Sequence, residues 1–256
     1  MKESTRQQLV LLSEKKYREF SAALVPGEEK MLGVRLPKLR EMARKLAKDN
    51  WKEELATEDF YFEEIMLRGM VISYATMRME PEEAMVYITD FIPRVNNWSV
   101  CDSVFMKMDI LKKNRDLTWD FIQPYLRSRD EFRVRVALVI MMAHLLRCDS
   151  NGKKMSRFRN ITMSDLENID AEKEKAGKYL SPIFEKINRS FTEGYYAHMA
   201  AAWLVAEAFC CFPALTNRFL NESKLDDVTY NKALQKIIES KIPEDEVKCY
   251  IRGLKK

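Results

Sequence analysis

At 256 residues, the chain has room for one large domain or two small ones, and a hydrophobic share of 46% excludes global disorder. Only 7 glycines and 8 prolines punctuate it, too few for the turns of a sheet protein this long. A net charge of +4 points only slightly to a polyanionic partner, and two histidines argue against a His-based metal site or triad.

In chain order, residues 4–24 read as one amphipathic helix, with Leu9, Leu12, Phe20 and Leu24 at helical spacing. Pro26-Gly27 ends it. Leu32-Gly33-Val34 is a bend, and Pro37 sits where a first-turn proline belongs. Leu39, Met42, Ala43 and Leu46 mark one face of the next helix. Further helices are expected over 62–79 and 81–93. Another begins at Asn96-Asn97 and continues through Phe105, Met108 and Leu111 to Lys113. Trp119, Phe121, Ile122 and Tyr125 mark a short helix. Residues 131–146 form a nearly all-apolar one, buried on most sides, in which Arg133, Arg135 and His144 stand out.

Residues 148–170 change character. They are polar and carry Lys153, Lys154, Arg157 and Arg159 with little periodicity, so they read as an irregular excursion. Helices return over 171–191 and, after Gly194, over 195–212, the latter carrying Trp203. Three shorter ones follow at 215–220, 228–240 and 243–254. Helix lengths and short connections suit an all-α chain of degenerate HEAT-like repeats stacked into a curved solenoid, a single domain over 1–256. A globular helical bundle fits the same pattern.

Five cysteines lack metal-ligand spacing, and Cys210-Cys211 are adjacent. Reduced thiols, a cytoplasmic location, no cofactor and a monomer are expected. No apolar run is long enough to span a membrane.

Three apolar helices each hold an odd residue. In Asn97-Trp98-Ser99-Val100-Cys101-Asp102, an asparagine caps the first turn, and Trp98 and Asp102 share a face four residues apart. A carboxylate beside an indole, near a positive helix N-terminus, suits a cation; these residues alone favour the plainer reading, in which Trp98 is core and Asp102 a surface or capping carboxylate. Arg135 lies in Phe132-Arg133-Val134-Arg135, and Trp203 follows Ala200-Ala201-Ala202. If these helices stack, one cleft holds an Asp, an Arg and two indoles. Arg135 is otherwise the partner of a core carboxylate.

Taken together, the chain resembles the AlkD-like DNA alkylation repair proteins, HEAT-like-repeat DNA glycosylases. The resemblance runs through Leu32-Gly33-Val34-Arg35-Leu36-Pro37, Glu63-Glu64, Asn97-Trp98-Ser99-Val100-Cys101-Asp102, Glu131-Phe132 with Arg135, Gly194-Tyr195-Tyr196, Ala202-Trp203 and Tyr230-Asn231-Lys232-Ala233. It implies excision of cationic N3- and N7-alkylated purines from duplex DNA. The family's catalytic aspartate falls on Asp102, its cleft arginine on Arg135 and its cleft tryptophans on Trp98 and Trp203. Two departures are visible. Leu24 and Val25 stand where some members carry a tyrosine, and the 148–170 region is longer than the usual connection. Lys112, Lys113, Arg115, Arg157, Arg159, Lys232 and Lys236 are candidate phosphate contacts, though any one of them alone also reads as a solvated helix face. The protein would be nucleoid-associated when bound to DNA. A non-catalytic DNA-binding relative and a HEAT-like protein scaffold are the alternatives.

Overall fold

The computed structural model describes residues 1–28, 30–149 and 153–256. It is all-helical: among the described residues the only β pairing is three isolated bridges. The chain divides into two compact units, Met1–Leu117 and Thr118–Lys256.

The first unit holds α1 (Glu3–Leu11), α2 (Lys15–Leu24), α3 (Leu36–Leu46), α4 (Trp51–Glu54), α5 (Phe62–Ala75), α6 (Pro81–Phe91), α7 (Trp98–Phe105) and α8 (Asp109–Lys113). The helix expected over 4–24 is therefore two helices. Ser13 Oγ turns back on the Val10 carbonyl at 2.7 Å, and the Glu14 N–H goes to the Gly33 carbonyl at 3.0 Å, a partner distant in sequence. The helix expected to run from Asn97 to Lys113 also breaks, at 106–108, into α7 and α8. Here α5 is the hub, buried at almost every position, with α3, α6 and α7 packed on it. Gly69 makes that packing close. A Cβ there would sit 2.5 Å from Phe91 of α6 and 2.6 Å from Val104 of α7.

The boundary between the units falls within α9 (Arg115–Leu126). The second unit continues with α10 (Glu131–Ile140), α11 (Ile169–Lys175), α12 (Leu180–Ile187), α13 (Tyr195–Cys211), α14 (Pro213–Glu222), α15 (Asp227–Glu239) and α16 (Asp245–Gly253). A π-helical turn, Met141–Leu145, prolongs α10. The hub is α13, whose surroundings are α10, α14 and α15. A helix apolar on all sides must be covered on all sides, and Glu207 is its only charged residue. The helix expected over 171–191 is split at 176–179, where Gly177 passes close to the Cys148 and Asp149 carbonyls.

Carboxylates from elsewhere in each unit cap the starts of several of these helices. The first amides of a helix lack intrahelical acceptors, and its N-terminus favours negative charge. Glu63 of α5 accepts from the N–H groups of Leu32, Gly33 and Val34 at 2.9, 2.6 and 3.2 Å, holding the bend that leads into α3. Glu172 of α11 accepts from Ala214 and Leu215 at 3.0 and 2.9 Å, at the start of α14. Burial raises the Glu172 carboxyl above its usual range, although those two amides pull the other way. By contrast Asp226 is local: it is the N-cap residue of α15 itself and accepts from Thr229 N–H at 2.9 Å.

The 153–170 stretch is irregular, as its composition predicts, but it is tied down. The Met155 N–H donates to the Arg147 carbonyl at 3.0 Å, Phe158 N–H to that of Cys210 at 2.9 Å, and Ile161 N–H to that of Ile242 at 3.1 Å. A short 3-10 turn follows at Met163–Leu166, with Asp165 accepting from Thr162 N–H at 2.8 Å.

Candidate functional site

In the first unit, the expected N-cap is present. Asn97 is buried, and its side-chain oxygen accepts from Val100 N–H at 2.9 Å. Its amide donates to the Asn96 side chain at 2.8 Å. This fixes the first turn of α7, and with it Trp98 and Asp102 on one face, both half-buried. Between them and beyond, Val100, Cys101, Val104 and Phe105 face the core.

The Trp98 indole is held by a contact that side-chain reasoning does not reveal. Its Nε1–H donates to the Leu24 carbonyl at 3.1 Å. Leu24 closes α2, so this carbonyl lacks an intrahelical partner. Leu24 thus supplies backbone, not a side chain, to the indole. Nearby, Glu28 has its carboxyl raised, first by burial and then by the like charge of Glu63, with the Asn96 side chain partly offsetting both.

Lys112 is half-buried and Lys113 exposed at the end of α8, with Arg115 half-buried just after it. Cationic side chains in a last helical turn complement the dipole there.

In the second unit, Arg135 is 5% exposed and donates through Nη1 to the Tyr196 carbonyl at 3.0 Å. Its guanidinium lies 5.9 Å from the Tyr196 ring centroid, at the long end of cation–π range. The Phe132 ring lies 5.3 Å from that of Tyr196. Glu131 completes the arrangement by accepting the Tyr196 N–H. So Glu131, Phe132 and Arg135 of α10 all grip the first turn of α13. Gly194 makes room for this. Its φ is +145°, and a Cβ there would fall 2.5 Å from Glu131 Oε1.

Trp203 lies two turns further along α13, half-buried. It lines a surface pocket of about 280 Å³ together with Arg157, Ala206, Glu207, Cys210, Lys236, Glu239 and Ser240. Trp203, Arg157 and Lys236, each singled out from sequence, therefore come together. Arg159 is exposed on the same excursion, and Lys232 is half-buried one turn before Lys236 on α15, its Nζ 3.1 Å from Gln235. Arg157 is not a loose surface cation. It is ion-paired with Glu207 at 2.5 Å. A larger pocket of about 470 Å³, between α11, α12 and α14, touches none of the candidate residues.

Glu207 and the Leu24 carbonyl were not among the residues that sequence pattern picks out, and Glu131 entered only as part of the Glu131-Phe132 stretch, with no role assigned. For Glu207 a signal existed, a lone acid in seventeen residues of otherwise uncharged helix. For the Leu24 carbonyl none could, because a backbone oxygen has no residue type.

Comparison with curated proteins finds no match. A family model does match, over residues 5–237, and is described as DNA alkylation repair enzyme.

Proposed function

The chain belongs to the DNA alkylation repair enzyme family, and on that footing we propose that it is a DNA glycosylase hydrolysing the N-glycosidic bond of cationic N3- and N7-alkylated purines in duplex DNA. The observation that carries the reading is the first turn of α7. Asn97 caps it, the Leu24 carbonyl fixes the Trp98 indole, and Asp102 lies one turn further on the same face.

The chemistry asks for little more. An alkylated purine already bears positive charge and leaves readily, so no general acid is required. As the bond breaks, positive charge grows on the deoxyribose. A carboxylate fixed on a helix stabilises that charge and orients the attacking water. The indole faces of Trp98 and Trp203 add cation–π attraction of about 0.5–2 kcal/mol each. Arg135 is assigned to a backbone phosphate, and Lys112, Lys113, Arg115, Arg159, Lys232 and Lys236 to the wider electrostatic footprint. A second reading, a DNA-binding relative that excises nothing, is favoured by Leu24 and Val25 standing in the region where some members of the family carry a tyrosine.

The test is incubation with duplex DNA carrying 7-methylguanine. Release of the free base is expected from the wild-type protein. Asp102→Asn keeps the shape and removes the charge, so excision is lost while binding is kept or slightly improved. Binding without release by the wild type favours the second reading. Release by Asp102→Asn at the wild-type rate would remove Asp102 from the mechanism.

A further inference from the structure

Glu207 is 5% exposed and sits one helical turn beyond Trp203 on α13. Arg157 approaches it edge-on, donating through Nε to Oε1 at 2.8 Å and through Nη2 to Oε2 at 2.5 Å. This two-pronged pairing is the strong form of such an interaction. Arg147 stands 3.5 Å from the same carboxylate. The bond to Glu207 holds the Arg157 proton more tightly than usual. The backbone on either side of Arg157 is stitched to Arg147, Cys210 and Ile242.

An arginine that serves a phosphate turns its fork to the phosphate. The Nε–Nη2 edge of Arg157 is turned to Glu207, and an incoming phosphate would have to displace one anion and then lie beside it. The converse is more telling. Without Arg157, a buried carboxylate one turn from Trp203 loses its main partner. A buried charge stripped of its partner is relieved by protonation or by movement of the element that carries it. Either outcome disturbs the wall next to the indole.

We propose that Arg157 is a positioning residue: through Glu207 it locks the 153–161 segment onto α13 and thereby fixes the Trp203 indole and the pocket beside it. The role matters to catalysis only through the function proposed above for Trp203. Its contacts all lie within Thr118–Lys256, however, and can be tested without any excision.

The first experiment uses the full chain with Trp51, Trp98 and Trp119 replaced by Phe, leaving Trp203 as the sole indole. In that background Arg157→Ala should red-shift Trp203 emission and raise its quenching by acrylamide, well below the melting transition. Adding Glu207→Gln, which removes the orphaned charge but does not restore the lock, should reverse only part of both changes, and full reversal would overturn the lock. Unmoved emission from folded Arg157→Ala would overturn the proposal. If the alanine variant does not fold, Arg157→Lys keeps the charge but not the fork; the same shift, smaller, is expected, and emission identical to the parent overturns it. The second experiment measures duplex binding over a salt series with all tryptophans present. Loss of a phosphate contact would lower the slope of log K against log salt by about 0.9. An unchanged slope is expected. A drop of that size that Glu207→Gln does not reverse would assign Arg157 to the DNA instead. Should the wild type release no base, the glycosylase reading fails while the emission result stands by itself.

Discussion

Trp98 shows how a residue's role depends on an atom that carries no residue identity. Its Nε1–H caps the last carbonyl of α2 at 3.1 Å, and the ring is thereby held to one rotamer. Trp98→Phe keeps an aromatic face but drops the donor. The expected loss in unfolding free energy is about 1 kcal/mol, the net worth of an ordinary hydrogen bond, measured by chemical denaturation. Excision should fall by more than that, because the ring is both smaller and freer. An unfolding midpoint equal to wild type would mean that water replaces the indole at Leu24 without cost. Glu28 makes a second point at this scale. Its folded carboxyl is raised above the ordinary value by burial and by Glu63. A raised carboxyl favours folding only while protonated, and that contribution is lost as pH rises through the folded value. At neutral pH the ionised group therefore opposes folding. Glu28→Gln should stabilise the protein at pH 7, with the gain shrinking as pH falls towards 4.5. Thermal melts at both pH values check it, and a gain that grows in acid would refute the assignment.

At the scale of elements, the recurring device is a carboxylate placed at the start of another helix. Glu131 at α13 and Glu172 at α14 both do this across tens of residues of sequence. Gly194 is the half-buried joint of the first case. Gly194→Ala faces both a positive φ and a Cβ 2.5 Å from Glu131. The expected cost is about 1–3 kcal/mol, seen as a lower denaturation midpoint; wild-type stability would show that Glu131 can swing aside freely. These long-range caps explain where sequence reading faltered. Apolar periodicity located α5, α10 and α13, since each is largely buried and its pattern is set by its own residues. It joined α1 to α2, because the amide at the start of α2 is satisfied by a partner that periodicity does not encode. For Glu14 that partner is the Gly33 carbonyl. It joined α7 to α8 for a different reason: the amides of 106–108 bond only to the local carbonyls of Asp102, Val104 and Phe105, and the apolar spacing continues across the break.

For the molecule as a whole, charge is the property that no single element decides. The excess of +4 is small, so DNA affinity must come from local clusters. Lys112 and Lys113 are the test in the first unit. If both displace counterions, Lys112→Ala with Lys113→Ala should lower the slope of log K against log salt by about 2. An unchanged slope would leave them as complements to the end of α8. The candidate site was legible in a similarly uneven way. Trp98, Asp102, Arg135 and Trp203 announced themselves as polar or bulky exceptions on apolar helices. Arg157 announced itself as a cation, and its partner lay hidden fifty residues on inside an apolar run. No helix among the described residues is long and apolar enough to cross a membrane.

The stitching of the 153–161 segment also orders events in time. Asn160 bonds to Glu244, 84 residues away, and Ile161 bridges to Pro243. On a growing chain this segment emerges long before its far anchors are made. Arg157 must wait for Glu207, and Ile161 for the turn before α16. Contacts that close such long loops form late and slow the search for the native state. In a refolding experiment followed by pulsed hydrogen exchange, the amides of Phe158 and Ile161 should therefore gain protection after those of α13.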